Sequence, residues 1–489
     1  MKFSCSSEEL SGAVGTVEKA ISSRTALPVM ENIYMALEGS TLTLRGNDLE
    51  VGIEYRLPVS GSDQTGKALV KGSTISSIVG KMPKQTLSLE VDESNKLTLH
   101  GDNVDFDLLG QSVSEYPEFP VIKDGTKVTL TAGQLADLIK HTIFSVSFDE
   151  TKQFLNGILL KLEGDSLHFV ATDGFRLALK QLKLESAQSN ISVIVPFKAM
   201  NELNKIVQQL DSKTAVSITI SDNQIAFSMP NILLVSRLIQ GQFPDYQQVL
   251  PKVTEVSYRV ARRHLVGASE RAQIIASQSN NVVRLTFGDT FIRVKAVAPK
   301  MGEFKEDVEA TRLSGNTETK VSFNVKLILD AIKQLNSDDL TLAFNNELSP
   351  CVLRPISDDT FTYIIMPIRT SDYDEETQQP SSESVTETKS EVEPTAPVVP
   401  VQNETPTVTP TPAAPVQNEV SAPVPVSVTP TPNEVSGTVV QSVPVAPTQP
   451  VSQPTVPVGE FSVSSTPVTV QATPTSVTTN NPVGSTTEV

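Results

Sequence analysis

Lysines that recur at helical spacing are the residues of this sequence best suited to bind a ligand. Lys198 and Lys205 lie seven residues apart, as do Lys326 and Lys333. Because an α-helix has about 3.6 residues per turn, this spacing returns a side chain to the same helix face. Cations paired in this way could contact the phosphates of a nucleic acid without reading its bases. The alternative for any single pair is an ordinary solvated helix face.

Each of the other predicted helices also carries at least one basic residue. These are Arg263 with Arg271, then Lys19, Lys81 and Lys140. If the six helices face one direction, they present a positive surface on a chain whose net charge is −17. Acidic residues elsewhere would keep the other surfaces away from DNA. Repetition over six helices therefore favours sequence-independent DNA binding over the solvated-face interpretation.

Groupings typical of an enzyme or a metal site are missing from the sequence. The four histidines are scattered without ligand spacing, and there is no phosphate-binding loop or dinucleotide motif. Asp149-Glu150 fits a solvated turn, and Asp173-Gly174 is a dipeptide typical of turns. A polymerase or nuclease with its own activity would need a carboxylate cluster for metal ions. We therefore expect no catalytic residue, no metal and no cofactor.

The elements that would position the cations come in three copies with a period near 125 residues. Glu38-Gly39 and Glu163-Gly164 each precede alternating apolar residues and then an Asp-containing corner, and a more diverged copy turns at Gly288-Asp289. The predicted helices span 7–21, 72–82, 132–146, 196–210, 261–276 and 324–336. Alternating strand patterns surround them. We predict the α+β class, with three repeated domains of two helices plus antiparallel sheets each, at 1–120, 128–246 and 251–370.

Residues 371–489 differ in composition from the rest of the chain. They contain 20 of the 33 prolines, two aromatic residues, and 13 acidic residues against one basic residue, Lys389. Such a segment cannot bury a core, because proline removes backbone donors and few large apolar groups offset the entropy of ordering. We predict a disordered, acidic Pro/Thr/Val-rich tail. A β-rich stalk is the alternative, although proline interrupts the alternating runs.

The cysteine content and the apolar runs of the sequence indicate the cellular compartment. Cys5 and Cys351 are its only cysteines, which do not make a disulfide framework and indicate a reducing compartment. The N-terminus is too polar for a signal peptide, and no apolar run approaches the roughly 20 residues of a membrane helix. We expect a soluble, cytoplasmic protein with no membrane partner. A surface scaffold on a Pro/Thr stalk would need a signal segment.

Several motifs occur in the order found in one protein family. They are Leu27-Pro28-Val29, Asn47-Asp48-Leu49-Glu50, Leu155-Asn156-Gly157, Ala171-Thr172-Asp173-Gly174-Phe175-Arg176-Leu177-Ala178, Phe243-Pro244-Asp245-Tyr246, Val249-Leu250-Pro251 and Tyr363-Ile364-Ile365-Met366-Pro367-Ile368-Arg369. Together they resemble the bacterial DNA sliding clamp, the beta subunit of DNA polymerase III. The resemblance covers about residues 1–370, where members of that family normally end.

The resemblance implies a ring-forming fold and a function without catalysis. Two protomers of three clamp domains would join head to tail around duplex DNA, with helices lining the hole and sheets outside. Such a ring is a processivity factor, because topological linkage replaces tight binding and weak phosphate contacts permit sliding. The implied partners are double-stranded DNA, the DNA polymerase III catalytic subunit, the clamp loader and other clamp-binding replication and repair proteins.

The resemblance also implies three sets of site residues. The partner-peptide pocket would use Leu155, Thr172, Gly174, Arg176, Leu177, Pro244, Val249, Ile364, Ile365, Met366 and Pro367. DNA contacts are expected at Arg24, Lys71 and Lys198, beside the other helix cations Lys205, Lys326 and Lys333. The dimer interface would use Phe106, Leu108, Ile274 and Ile275.

The pocket is expected to be apolar, with Arg176 at a polar rim, and to take a short peptide with a Leu/Phe anchor. Leu155, Leu177 and Ile365 have an alternative interpretation as plain core residues. Phe175 stands where the family often has His, and Gln248 where it often has a basic residue. Both departures bear on which peptide is preferred.

Overall fold

The computed structural model describes residues 1–22, 27–315 and 318–369 of the chain. These ranges contain six α-helices, two in each repeat: α1 (Ser7–Glu18), α2 (Gly72–Val79), α3 (Ala132–Lys140), α4 (Phe197–Val207), α5 (Arg262–Ala276) and α6 (Val325–Ile332). All six agree with predicted helices, but most end earlier than predicted. After α3, for example, Ile143–Ser145 forms a separate 3-10 turn. The tail predicted at 371–489 lies outside the described residues.

Strands are the most abundant secondary structure in each repeat. The first repeat contains β1 (Lys2–Ser6), β2 (Asn32–Glu38), β3 (Thr41–Asn47), β4 (Val51–Pro58), β5 (Ser60–Gln64), β6 (Gly66–Lys71), β7 (Thr86–Val91), β8 (Lys96–His100) and β9 (Asp105–Leu109). The second contains β10 (Thr126–Thr131), β11 (Gly157–Thr172), β12 (Arg176–Pro196), β13 (Ala215–Ile220), β14 (Gln224–Ser228) and β15 (Ile232–Arg237). The third contains β16 (Val256–Ala261), β17 (Val282–Phe287), β18 (Phe291–Ala298), β19 (Gly302–Ser314), β20 (Thr319–Asn324), β21 (Asp339–Phe344), β22 (Cys351–Pro355) and β23 (Phe361–Ile365). The predicted α+β class with three repeats is confirmed.

Alternating burial explains why these segments form strands. Along β18 every second residue from Ile292 to Ala298 is buried, which matches the two-residue period of a sheet with one face on the core. The strands form sheets of five, eight and ten strands, and the two larger sheets continue from one repeat into the next. β15 pairs with β4, and β12 pairs with β23. Backbone hydrogen bonds therefore join the repeats directly.

The two helices of each repeat pack against each other and against the sheets. α3 starts at a capping box, in which the Thr131 side chain accepts from the Gln134 amide at 3.2 Å and the Gln134 side chain accepts from the Thr131 amide at 2.9 Å. α4 buries an apolar stripe at helical spacing: Ala199, Met200, Leu203, Ile206 and Val207. The first and second repeats share one apolar core, and the third repeat has its own.

None of the helices among the described residues is long and apolar enough to cross a membrane. Over 1–22, 27–315 and 318–369, no group of three His, Cys, Asp or Glu side chains could hold a metal ion. Cys5 and Cys351 are free thiols, and burial raises the pKa of each to about 12, so both stay protonated at neutral pH.

Candidate functional site

A mostly apolar cavity of about 160 Å³ lies where the second repeat meets the third. Nine of the eleven residues predicted for the pocket line it: Leu155, Thr172, Gly174, Arg176, Leu177, Pro244, Val249, Ile364 and Met366. They come from four separate segments of the chain. The β12–β23 pairing brings two of these segments together, because it sets Leu177 opposite Ile364.

The turn between β11 and β12 shapes one wall of the cavity. The Asp173 carboxylate accepts hydrogen bonds from the Phe175 amide at 2.9 Å and the Arg176 amide at 3.0 Å. The Thr172 hydroxyl donates to the Arg176 carbonyl at 2.6 Å. Gly174 has φ +92°, a backbone conformation that favours glycine. The Asp-Gly pair is therefore a structural turn, as its sequence suggested.

The floor of the cavity belongs to an apolar cluster separate from the two main cores. Its buried members are Leu159, Val170, Leu177, Leu179, Ile194, Tyr246 and Ile364. Tyr246 lines the cavity but was not predicted to do so, although it lies in the quoted Phe243–Tyr246 motif. Its hydroxyl lies 3.0 Å from His168 Nδ1. Burial raises the pKa of Tyr246 and lowers the pKa of His168, so both are neutral at pH 7.

Two of the predicted lining residues are placed elsewhere. Ile365 follows Ile364 on β23, and successive residues of a strand face opposite sides. Its side chain packs in the core of the third repeat, so the prediction that it lines the pocket was wrong and the core interpretation holds. Pro367 lies beyond the end of β23 and does not line the cavity.

Arg176 also differs from expectation, because its charge is not at a solvated rim. Its side chain is 9% exposed. It stands opposite Ile365 in the β12–β23 register, so it faces the same side of the sheet as that core residue. The guanidinium is held by Asp173 and by Asp330 of α6. Arg176 therefore lines the cavity while its charged group lies behind the cavity wall.

The mouth of the cavity exposes large apolar side chains. Phe175 is 69% exposed and Val249 40%. The Met366 amide donates to the Phe175 carbonyl at 2.9 Å, which holds the end of β23 beside the turn. Gln248 Nε2 donates to Asp245 at 2.9 Å. The two family departures thus introduce an exposed aromatic ring and a neutral amide, and the amide is bound to the exposed carboxylate of Asp245.

Most of the predicted DNA-contacting cations are already paired with carboxylates. Lys71 lies 3.4 Å from Glu31, Lys205 2.7 Å from Glu202 and Lys333 2.8 Å from Glu270. Lys198 of the second repeat pairs with Asp48 of the first. Lys326 has no acidic partner within salt-bridge distance among the described residues. Arg24 lies outside the described residues.

The predicted interface residues lie on one open strand edge and on a helix beside another. β9 is the last strand of its sheet, and Phe106 and Leu108 on it are half-buried. Phe106 borders a mainly apolar groove of about 560 Å³ beside α2. On the third repeat, residues 302–309 of β19 pair with β18 alone. On the adjoining helix α5, Ile274 is 65% exposed, whereas Ile275 packs partly against its own core.

Comparisons with known proteins match this arrangement over its whole length. Family models of the DNA polymerase III beta subunit match residues 1–120 with the N-terminal domain, 129–245 with the central domain and 247–369 with the C-terminal domain. The beta sliding clamp of Staphylococcus aureus is 32% identical over 360 residues, which are 72% of this chain and 95% of that protein. That of Staphylococcus epidermidis is 32% identical over 378 residues, or 76% of this chain and 100% of the relative.

Solved structures give the same result. The DNA polymerase sliding clamp from Bacillus subtilis matches with a TM-score of 0.71 and 30% identity, over 76% of this chain and 99% of that one. The DNA polymerase III beta subunit from Pseudomonas aeruginosa matches with a TM-score of 0.71 and 26% identity, over 76% and 100%. The chain therefore belongs to the DNA polymerase III beta subunit family, the beta sliding clamps, and is a non-catalytic processivity subunit rather than an enzyme, as the sequence predicted.

Proposed function

We propose that two copies of this chain close head to tail into a ring around duplex DNA. The ring slides along the duplex and tethers the DNA polymerase III catalytic subunit and other replication and repair proteins, after a clamp loader has placed it there. It works in the cytoplasm. The observation that carries the proposal is the apolar cavity built from four distant segments of a chain that belongs to the sliding-clamp family.

The cavity suits a peptide anchor better than a soluble metabolite. Its volume of about 160 Å³ holds one or two side chains, below the roughly 300 Å³ at which small-molecule sites begin. Leu177 and Ile364 give it a dry floor, and exposed Phe175 and Val249 extend the apolar surface outward. A short segment with Leu and Phe anchors could fill the floor and cover the mouth.

The charges of the helices suit sliding better than tight binding. Lys198, Lys205 and Lys333 each have a carboxylate partner, so a DNA phosphate must compete for them. Each phosphate contact then releases little free energy. Weak contacts that do not read bases are easily exchanged along the duplex, whereas ring closure provides retention.

The two open edges suit a closed ring. An unpaired strand edge presents free backbone N–H and C=O groups that another strand can bind. The edges of β9 and β19 could pair in this way across each junction between protomers. Exposed Ile274 would then enter the groove beside Phe106 and remove its apolar surface from water. Two such junctions would leave neither edge open.

Retention on DNA tests the ring. Loaded clamps are expected to stay on nicked circular DNA and to leave the same DNA quickly once it is linearised, because only a topological link depends on free ends. The measurement is the lifetime of labelled clamp on each template. Equal lifetimes on circular and linear DNA would contradict a closed ring.

The helix cations have a separate test. Changing Lys198, Lys205, Lys326 and Lys333 to Gln should weaken loading and retention and flatten the salt dependence, by up to about one unit of slope per lysine. Sequence preference should not change, because phosphates carry no base information. The control changes four exposed lysines outside the helices to Gln: Lys2, Lys127, Lys183 and Lys213. An equal loss in both variants would mean that only net charge matters.

The cavity is tested by titration with a labelled Gln-Leu-x-Leu-Phe peptide. Leu177→Ala and Met366→Ala should each cost about 1–3 kcal/mol of binding, because apolar anchors in a dry pocket dominate such interfaces. The matched control truncates two exposed leucines elsewhere in the third repeat, Leu313 and Leu348. Both double variants must sediment like wild type. Equal peptide affinity in wild type and the Leu177/Met366 variant would exclude this cavity as the partner site.

A further inference from the structure

An ion pair behind the cavity joins its wall to a helix of the next repeat. Arg176 Nε donates to Asp173 at 3.0 Å, and Nη1 donates to Asp330 at 2.8 Å. The guanidinium carbon lies 5.7 Å from the centre of the Phe144 ring. The Arg176 side chain is 9% exposed, and that of Asp330 is 33% exposed. The guanidinium is thus shielded from water and held from two sides.

The two carboxylates belong to different repeats. Asp173 forms the turn of the cavity wall, and its other oxygen accepts the Phe175 and Arg176 amides. Asp330 lies on α6, between Lys326 and Lys333, and does not line the cavity. The chain of contacts therefore runs from α6 through the guanidinium to the turn that carries Thr172 and Gly174.

Two carboxylates contact the guanidinium of Arg176. A guanidinium always carries its charge, so a shielded one requires compensating acceptors. If Asp330 is lost, Asp173 is the remaining carboxylate in contact with Arg176, and the guanidinium gains hydration free energy by rotating toward water. Any such rotation displaces the Asp173 carboxylate, because Arg176 Nε and the amides of the 172–177 turn bind that same carboxylate.

We propose that Asp330 is a positioning residue for the partner pocket: through Arg176 it fixes the 172–177 turn, so that a competent pocket depends on the docking of α6. This inference rests on the proposed function of the cavity. It assigns a role in peptide binding to a residue that no peptide in the cavity would touch. It also gives Arg176 an indirect role in place of a contact at the rim.

The test uses Asp330→Asn in the full chain, because this change keeps the shape of the side chain and removes its charge. The Kd of the labelled peptide should rise about tenfold, which equals about 1.4 kcal/mol, because losing this charged hydrogen bond releases the guanidinium and loosens the turn. In an Arg176→Gln background, the same change should have no further effect, because the two residues act as one unit. Unchanged Kd in Asp330→Asn, or additive losses in the double variant, would overturn the proposal.

Asp339→Asn is the matched control. Asp339 also pairs with an arginine of the third repeat, Arg259, but on an exposed strand surface and outside the cavity. This variant should bind the peptide like wild type. If it loses affinity as Asp330→Asn does, the effect is not specific to the pocket and the proposal is overturned.

Amide hydrogen exchange measures how firmly the 172–177 turn is held, and it requires no peptide. In Asp330→Asn, exchange of the Phe175 and Arg176 amides should become faster, while the amides of β18 keep wild-type rates. Faster exchange at these amides in a protein whose wild type binds no peptide would keep the positioning role and reject the proposed function. Unchanged exchange would overturn the positioning role whatever the peptide does.

Discussion

A chain carrying Leu108→Glu and Ile274→Glu is expected to sediment as a monomer at micromolar concentration, where the unmodified chain sediments as a dimer. Leu108 lies half-buried on the open strand β9, and Ile274 is 65% exposed on α5. If these surfaces meet, each junction of the ring buries carboxylates of like charge without partners. Burying unpaired charges costs several kcal/mol, and a ring contains two such junctions.

The sign of the introduced charges makes the test specific. Leu108→Glu combined with Ile274→Lys should recover part of the dimer, because the new side chains could pair across the junction. A control with Leu348→Glu and Ile356→Glu places two charges on exposed apolar positions of the third repeat and should remain dimeric. Wild-type protein that sediments as a monomer would contradict the ring, and a dimeric Leu108/Ile274 variant would move the interface elsewhere.

Local features of the fold could be predicted from the sequence, because they depend on nearby residues. The six helices follow from apolar spacing such as that of Leu203, Ile206 and Val207. The turn at Asp173-Gly174 follows from a dipeptide that accepts a positive φ. The resemblance to the family predicted that Leu155, Leu177 and Met366 line one pocket, although no periodicity in the sequence links their segments.

Features that depend on contacts between repeats could not be predicted in this way. The family motif assigned both Ile364 and Ile365 to the pocket, although neighbouring residues of a strand face opposite sides, so Ile365 was placed on the wrong side. Helical spacing identifies a cationic face but not the carboxylates opposite it, such as Asp48 for Lys198. The same limit applies to Arg176, whose partner Asp330 lies 154 residues further along the chain.

A second contact between repeats involves a buried lysine. Lys180 of β12 is 7% exposed and lies 3.1 Å from Asp137 of α3 and 2.5 Å from Asp358 in the turn before β23. His141 Nδ1 is 3.1 Å from Asp137, and its ring packs 5.2 Å from that of Phe361. Burial alone would raise the pKa of Asp137, but its contacts with His141 and Lys180 lower it to about 2. The ion pairs of Lys180 with Asp137 and Asp358 therefore connect the second repeat to the third.

Lys180→Met should destabilise the protein by about 2–4 kcal/mol at pH 7, because it leaves two carboxylates without their cation in a partly buried site. The folded pKa of Asp137 is below its ordinary value, so its contribution to stability is present above about pH 4 and is lost as the pH falls toward 2. The difference in Tm between wild type and Lys180→Met should therefore shrink between pH 6 and pH 3. Calorimetry at several pH values measures this.

Lys183→Met is the control for the lysine prediction, since it makes the same substitution three residues further along β12. Lys183 is 82% exposed and lies 3.4 Å from Asp165, which is half exposed. Exposed pairs contribute about 0–1 kcal/mol, so this variant should melt close to wild type at every pH. If Lys180→Met also melts like wild type at pH 7, the methionine packs well enough to offset the lost pairs. If its Tm difference from wild type stays constant down to pH 3, the pairing with Asp137 does not determine the stability of the junction.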